Sequence, residues 1–283
     1  MSNYKPIDDR QVINRAALPH IGAPANDSLD DIFSKIDLIL ASLAGGAGYI
    51  AKRIALTNGS TSQAIVMAVQ PDTSFIVLGM MGNTVDSFPQ YQQIEVTAKS
   101  TTGFTFTWNH PLDSSNYFIS YIVPLKVFPE VEAAIGSGVN SLSSTLPIAQ
   151  SGSGYGVIAE LQNIVDPHPQ FQTVVIGTNT NSTVNLEWNV NTDSANYQAV
   201  YMVAATGQVA VPISATSVTV SLPVAFNTSN FGVVASMQNA DSHPQFQPMI
   251  IKAAASGSVT FGWNVALDTS DYLLNFYAIS LTP

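Results

Sequence analysis

The chain has 283 residues, 46% of them hydrophobic and only 10% charged, with no cysteine and a formal net charge of −10. A disulfide framework, a thiolate metal site and a redox motif are thereby excluded, and the wet surface has to be built from Ser, Thr, Asn, Gln and backbone. Residues 1–53 balance to neutrality, whereas the rest carries three lysines against thirteen acidic side chains, a body that repels phosphate and argues against a nucleic-acid partner.

Met1 to Arg10 is polar and mixed in charge, without the basic-then-apolar pattern of a secretory signal. Residues 1–27 hold Pro6, Pro19 and Pro24 and little periodicity, which predicts an extended docking arm that orders on a partner. A helix is predicted from Ser28 to about Ala44, with Ser28 as N-cap, aspartates in the first turn and Gly45-Gly46 as the stop, so that 28–48 reads as helix plus linker. Its apolar residues Leu29, Ile32, Ile36, Ile39 and Leu43 follow a 3-4-3-4 spacing, the seam of a coiled coil, and Phe33 and Leu40 widen the stripe. Isoleucine at both kinds of core position favours three or more strands, hence an expected homotrimer. The alternative is that this amphipathic face packs on the β-unit that follows.

Beyond the helix, one unit occurs three times. Trp-Asn stands at Trp108, Trp188 and Trp263, followed in register by Asp113, Asp193 and Asp268 and by Tyr117, Tyr197 and Tyr272. Upstream, Pro89-Gln90-Tyr91-Gln92, Pro169-Gln170-Phe171-Gln172 and Pro244-Gln245-Phe246-Gln247 keep the same offsets, preceded by Asn83, Asn163 and Asn239. In the first copy, strands are predicted at 63–69, 75–80, 92–98, 104–108 and 117–123. The alternation Phe104, Phe106, Trp108 against threonines gives that strand one apolar and one hydroxyl-bearing face. The fold class is therefore all-β: three tandem, small, antiparallel β-sandwich repeats at 49–126, 127–206 and 207–283, behind a short N-terminal coiled-coil helix. A unit of this size is marginal alone and has to stack on neighbours or other chains.

Chemistry-bearing residues are sparse. Of His20, His110, His168 and His243, the equivalent pair His168 and His243 is replaced by Phe88 in the first copy, so a catalytic histidine is not expected. Asp166 and Asp241 lie two residues before that pair, but one carboxylate and one imidazole make too thin a metal site. No metal, no cofactor and no enzymatic activity are predicted. The sharpest recurring polar set follows each tryptophan: Asn109, Asp113 and Tyr117; Asn189, Asp193 and Tyr197; Asn264, Asp268 and Tyr272. Two readings stand beside each other: these residues close a turn between strands, or they bind a ligand, since exposed amides, carboxylates and aromatics together form sugar-binding surfaces.

From Phe75 to Val123 the pattern of two strands, a Thr-Gly-Phe start to a strand ending in Trp, and a tyrosine-bearing strand resembles the H-type lectin unit. That resemblance implies a six-stranded sandwich, trimers and galactose-type sugars bound between protomers. The chain departs from it at Tyr121, Tyr201 and Phe276, where the family usually carries a tryptophan. The whole layout resembles bacteriophage fibre and appendage proteins. It implies a virion structural protein of tail or head, made in the host cytoplasm, with residues 1–27 docking on other virion proteins and the β-repeats displayed for a host surface or glycan. The rival expectations are a free-standing lectin-like protein and a purely structural virion spacer. No membrane insertion is expected, because every apolar run is short and interrupted.

Overall fold

A computed structural model describes residues 49–281 apart from 69, 71, 72, 74, 125–129, 151–154, 166–168, 204–206, 223–225, 227–230 and 240–243. The docking arm, the helix with its seam residues Leu29, Ile32, Phe33, Ile36, Ile39, Leu40 and Leu43, and His20, Asp166, His168, Asp241 and His243 lie outside the described residues. The β-repeats form one compact unit, Ile50–Pro283.

Each repeat contributes six strands. The first gives β1 (Tyr49–Ala55), β2 (Ser62–Val66), β3 (Leu78–Asn83), β4 (Ile94–Ser100), β5 (Gly103–Trp108) and β6 (Tyr117–Pro124). The second gives β7 (Glu130–Ala134), β8 (Ser141–Thr145), β9 (Ile158–Asn163), β10 (Val174–Ile176), β11 (Thr183–Trp188) and β12 (Tyr197–Met202). The third gives β13 (Gly207–Ala210), β14 (Ser217–Ser221), β15 (Gly232–Asn239), β16 (Ile250–Ala255), β17 (Ser258–Gly262) and β18 (Tyr272–Ile279). The apolar alternation read from the sequence is the buried face: in β5, Phe104, Phe106 and Trp108 are buried while Thr105 and Thr107 are half-buried.

Within a repeat, three strands form one layer (β1, β6, β3) and three the other (β2, β5, β4). The first repeat's core lies between them: Ile65, Ile94, Val96, Phe104, Phe106 and Trp108 meet Met81, Tyr117, Ile119, Tyr121 and Val123. Phe104 lies edge-on to both Phe106 and Tyr121, with centroids 5.1 and 5.4 Å apart, the geometry that aromatic quadrupoles favour. The second repeat repeats the plan around Leu161, Val174, Leu186, Trp188, Tyr197 and Tyr201.

The sheets do not stop at the repeat boundary. There are three six-stranded sheets, in the orders β1-β6-β3-β16-β17-β14, β13-β18-β15-β10-β11-β8 and β2-β5-β4-β9-β12-β7, each half from one repeat and half from another. Within the first repeat β2–β5, β4–β5 and β3–β6 are antiparallel, as expected, whereas the joints between repeats are parallel: Val96 aligns with Gln162, Ile176 with Gln238 and Ile251 with Gly82. These are equivalent positions, so the first repeat joins the second, the second the third, and the third the first. The result is a closed ring with pseudo-threefold symmetry made by one chain. A lone sandwich would leave β3 and β4 as open edges with unpaired N–H and C=O groups, and the ring pairs every such edge. Parallel pairing costs no extra connection here, because the partners belong to different repeats and need no hairpin between them.

In the first repeat the β1–β2, β3–β4 and β5–β6 connections gather at one end, since Asn83 pairs with Tyr117, Ile94 with Trp108 and Ser62 with Thr107. That end is the start of β4 but, in the second repeat, the finish of β9, and these two strands run parallel in one sheet. The loop ends of neighbouring repeats therefore open in opposite directions along the shared sheet, while the β3–β4 and β9–β10 segments touch at the joint, Thr173 Oγ1 lying 3.4 Å from Gln93 Oε1.

Candidate functional site

The recurring strings converge at each loop end. The backbone N–H of Gln90, Gln170 and Gln245 donates to the hydroxyl of Tyr117, Tyr197 and Tyr272 at 2.5 to 2.6 Å. The second glutamine of each string bridges two loops. Gln92 Oε1 accepts from the His110 N–H at 2.9 Å, Gln172 from Val190 at 3.1 Å and Gln247 from Val265 at 2.8 Å. Their Nε2 atoms donate back to Gln90, Gln170 and Gln245. Each indole N–H donates to a carbonyl of the first loop, Ser60, Val139 or Ala215, at 2.9 to 3.0 Å. A polar group removed from water needs such a partner, which is why these residue types recur at these spacings.

The structure thus divides each predicted ligand-binding set. Trp108, Trp188 and Trp263 are at most 2% exposed, and Tyr117, Tyr197 and Tyr272 at most 1%, so no indole or phenol of the motif offers a stacking face to a ligand. Asn109, Asp113, Asn189, Asp193, Asn264 and Asp268 are exposed on the loops. Burial raises the pKa of the Tyr117 phenol, against the hydrogen bond from Gln90, and the Asp113 carboxylate adds to the rise. For Tyr197 the same burial takes it to about 12. These phenols are neutral scaffold groups.

A sharper polar knot lies beside the first set. Asp86 accepts from Asn83 Nδ2, Ser114 Oγ and Asn116 Nδ2 at 2.5 to 2.6 Å, while Asn83 Oδ1 accepts from the N–H groups of Val85 and Asp86. Hydrogen bonds from Ser114, Asn83 and Asn116 lower the Asp86 pKa. The knot holds a tip on which Val85 is 70% and Phe88 93% exposed. Sequence reading singled out Asn83 but not Asp86, although Asn-x-x-Asp recurs at Asn163 and Asp166.

At the pseudo-threefold axis, β3, β9 and β15 meet around a cavity of about 40 Å³. Met80, Glu160 and Ser236, equivalent in the three repeats, line it together with Ile94, Val174 and Met249. Backbone N–H groups reach across the seams to side chains: Gly79 to Glu160 Oε1 at 2.6 Å and Ala159 to Ser236 Oγ at 2.9 Å. Met80 offers no comparable acceptor, and the third seam uses Ser120 Oγ, which accepts from Val233 at 2.8 Å. Glu95, from the first repeat, accepts from the Gln172 N–H of the second at 3.4 Å. Burial raises the Glu95 pKa to about 8, opposed by Gln172 and reinforced by Asp193, and places Glu160 well above the usual carboxylate range. Both acids escaped the sequence reading, though a carboxylate inside Ile94-Glu95-Val96 or Ala159-Glu160-Leu161 is the signal to look for.

Among the described residues no three His, Cys, Asp or Glu side chains converge to hold a metal ion, and no helix is long and apolar enough to cross a membrane. His110 is exposed on the loop after Trp108. No family model, no curated protein and no solved structure matches this chain.

Proposed function

We propose that the chain is a non-catalytic structural component of a bacteriophage particle, a fibre or decoration protein. In this reading residues 1–27 dock on the particle, residues 28–48 bring copies together, and the β-body is displayed towards a host surface or glycan. The observation that supports it most is the ring. Its recurring Gln, Tyr and Trp side chains lock the loops in place, and its exposed Asn and Asp side chains sit on the loop ends of all three repeats. Such a body suits display, with glycan contact falling to Asn109, Asp113, Asn189, Asp193, Asn264 and Asp268. The purely structural spacer is the second reading, favoured by the burial of all three indoles, which removes the usual stacking platform for a sugar.

Particle assembly with a chain lacking residues 1–27 tests docking: the truncated chain is expected to be left out, and its incorporation overturns the arm's role. A glycan array of host-surface polysaccharides tests adhesion. Retention that falls on replacing Asn109 and Asp113 by alanine supports it, and no retention by the intact chain leaves the spacer. In this reading association of chains rests on residues 28–48. Light scattering that finds a single 30.0 kDa chain removes the homotrimer.

A further inference from the structure

One seam of the ring is built differently from the other two. Where the first repeat has Glu95, the second has Val175 and the third Ile250; where the second has Glu160, the others have Met80 and Ser236. Both acids therefore fall on the joint of β4 with β9. Glu95 is fully buried and Glu160 is 7% exposed. Their use is reciprocal: Glu95 of the first repeat takes an N–H from Gln172 of the second, and Glu160 of the second takes one from Gly79 of the first. In each carboxyl the other oxygen, Oε2, has no hydrogen-bond partner. A carboxylic acid tolerates that position far better than a carboxylate, whose desolvation goes uncompensated.

The titratable groups that act on them oppose ionisation. Asp193, on the loop before β12, acts on Glu95, while Glu95 acts in turn on Glu160 and on Tyr197. Lys99, on the same strand as Glu95, is engaged elsewhere, with Glu132 at 3.2 Å and the Phe75 carbonyl at 3.1 Å.

We propose that the joint between the first and second repeats is a proton-held latch, closed while Glu95 and Glu160 are carboxylic acids and loosened, alone among the three joints, when they ionise. The sign follows from linkage. The closed joint holds a proton that the open joint releases, so opening becomes easier as pH rises from the ordinary glutamate value of 4.5 and levels off above about 8. The ring is tightest in acid.

Hydrogen exchange followed by mass spectrometry on the intact chain at pH 6 and pH 8, corrected for intrinsic exchange, reads each joint separately. The opening constant of the β4–β9 joint is expected to rise about fiftyfold from Glu95 alone, with the β10–β15 and β16–β3 joints unchanged. An equal response in all three joints, or none in β4–β9, overturns the latch. The double variant Glu95→Gln, Glu160→Gln keeps an acceptor for each N–H and cannot ionise, so the pH response is expected to vanish; its persistence also overturns the latch. Should that variant fail to fold, the infrared carbonyl band of buried carboxylic acid in the wild type decides: present at pH 6 and weakened by pH 9 as Glu95 ionises on this reading, and fatal to it if absent at pH 6 or unchanged at pH 9.

Discussion

Replacing Trp188 by phenylalanine probes whether the motif tryptophans are scaffold or platform. The indole is fully buried and donates to the Val139 carbonyl at 3.0 Å. Phenylalanine gives up that bond, worth about 1 kcal/mol net, and leaves a void where the second ring lay, worth about another 1 kcal/mol. The carbonyl is not orphaned, because the Thr192 N–H still donates to it at 2.8 Å. The Ser60 and Ala215 carbonyls likewise keep the N–H groups of Leu112 and Leu267. A loss of about 2 kcal/mol is thus expected at each of Trp108, Trp188 and Trp263, alike within about 0.5 kcal/mol. Urea unfolding followed by circular dichroism measures it. Acrylamide quenching of the wild type should be weak, and added sugars should leave the emission unchanged. A loss below about 0.5 kcal/mol at all three sites, with strong quenching, would refute the scaffold assignment.

Overall stability is expected to be highest in acid and to fall as pH rises from 4.5 towards 8, by up to about 1.4 kcal/mol per pH unit from Glu95, then to level off. Urea midpoints at pH 5, 7 and 9 check this, and Glu95→Gln should remove that share of the slope. Asp86 works in the opposite sense: its lowered pKa supports the loop above the ordinary aspartate range and is lost as pH falls through the folded value, so Asp86→Asn should speed proteolytic nicking near Phe88 at neutral pH. Glu132→Ala leaves the buried Lys99 ammonium with only the Phe75 carbonyl and should cost about 3 kcal/mol, much of it restored by adding Lys99→Met, as a double-mutant cycle by urea unfolding would read. Gly82→Ala places a methyl 2.2 Å from the Phe118 ring, which is itself capped by Arg53 at 3.8 Å, and should cost about 1 to 3 kcal/mol in the same assay.

Much of the β-body was legible because its signals are local. Trp-Asn and Pro-Gln-aromatic-Gln fix the register of the copies, and the alternation in Phe104 to Trp108 marks a buried face. The strand Tyr49–Ala55 was not predicted, since Lys52 and Arg53 sit in it just beyond a glycine-rich stretch; as the outer strand of its sheet it can carry charge. The parallel joints could not be read, because each rests on one or two aligned pairs between residues more than sixty positions apart in two joints and more than 160 apart in the third. Nor could the sequence say that the motif's aromatics face inward while its amides face outward. Alternation gives a strand two faces without saying which is covered, and only packing of the second layer decides between them.

The ring carries a constraint that a row of repeats does not. A linear array can lengthen or shorten by one unit and keep its interfaces, since each unit meets only its neighbours and the ends are capped. Here the last copy is paired with the first, so removing one unit strips two edges at once and adding one leaves nowhere for it to dock. Variation in this lineage is therefore expected in loop sequence and in the asymmetry of individual joints, while the number three stays fixed by geometry.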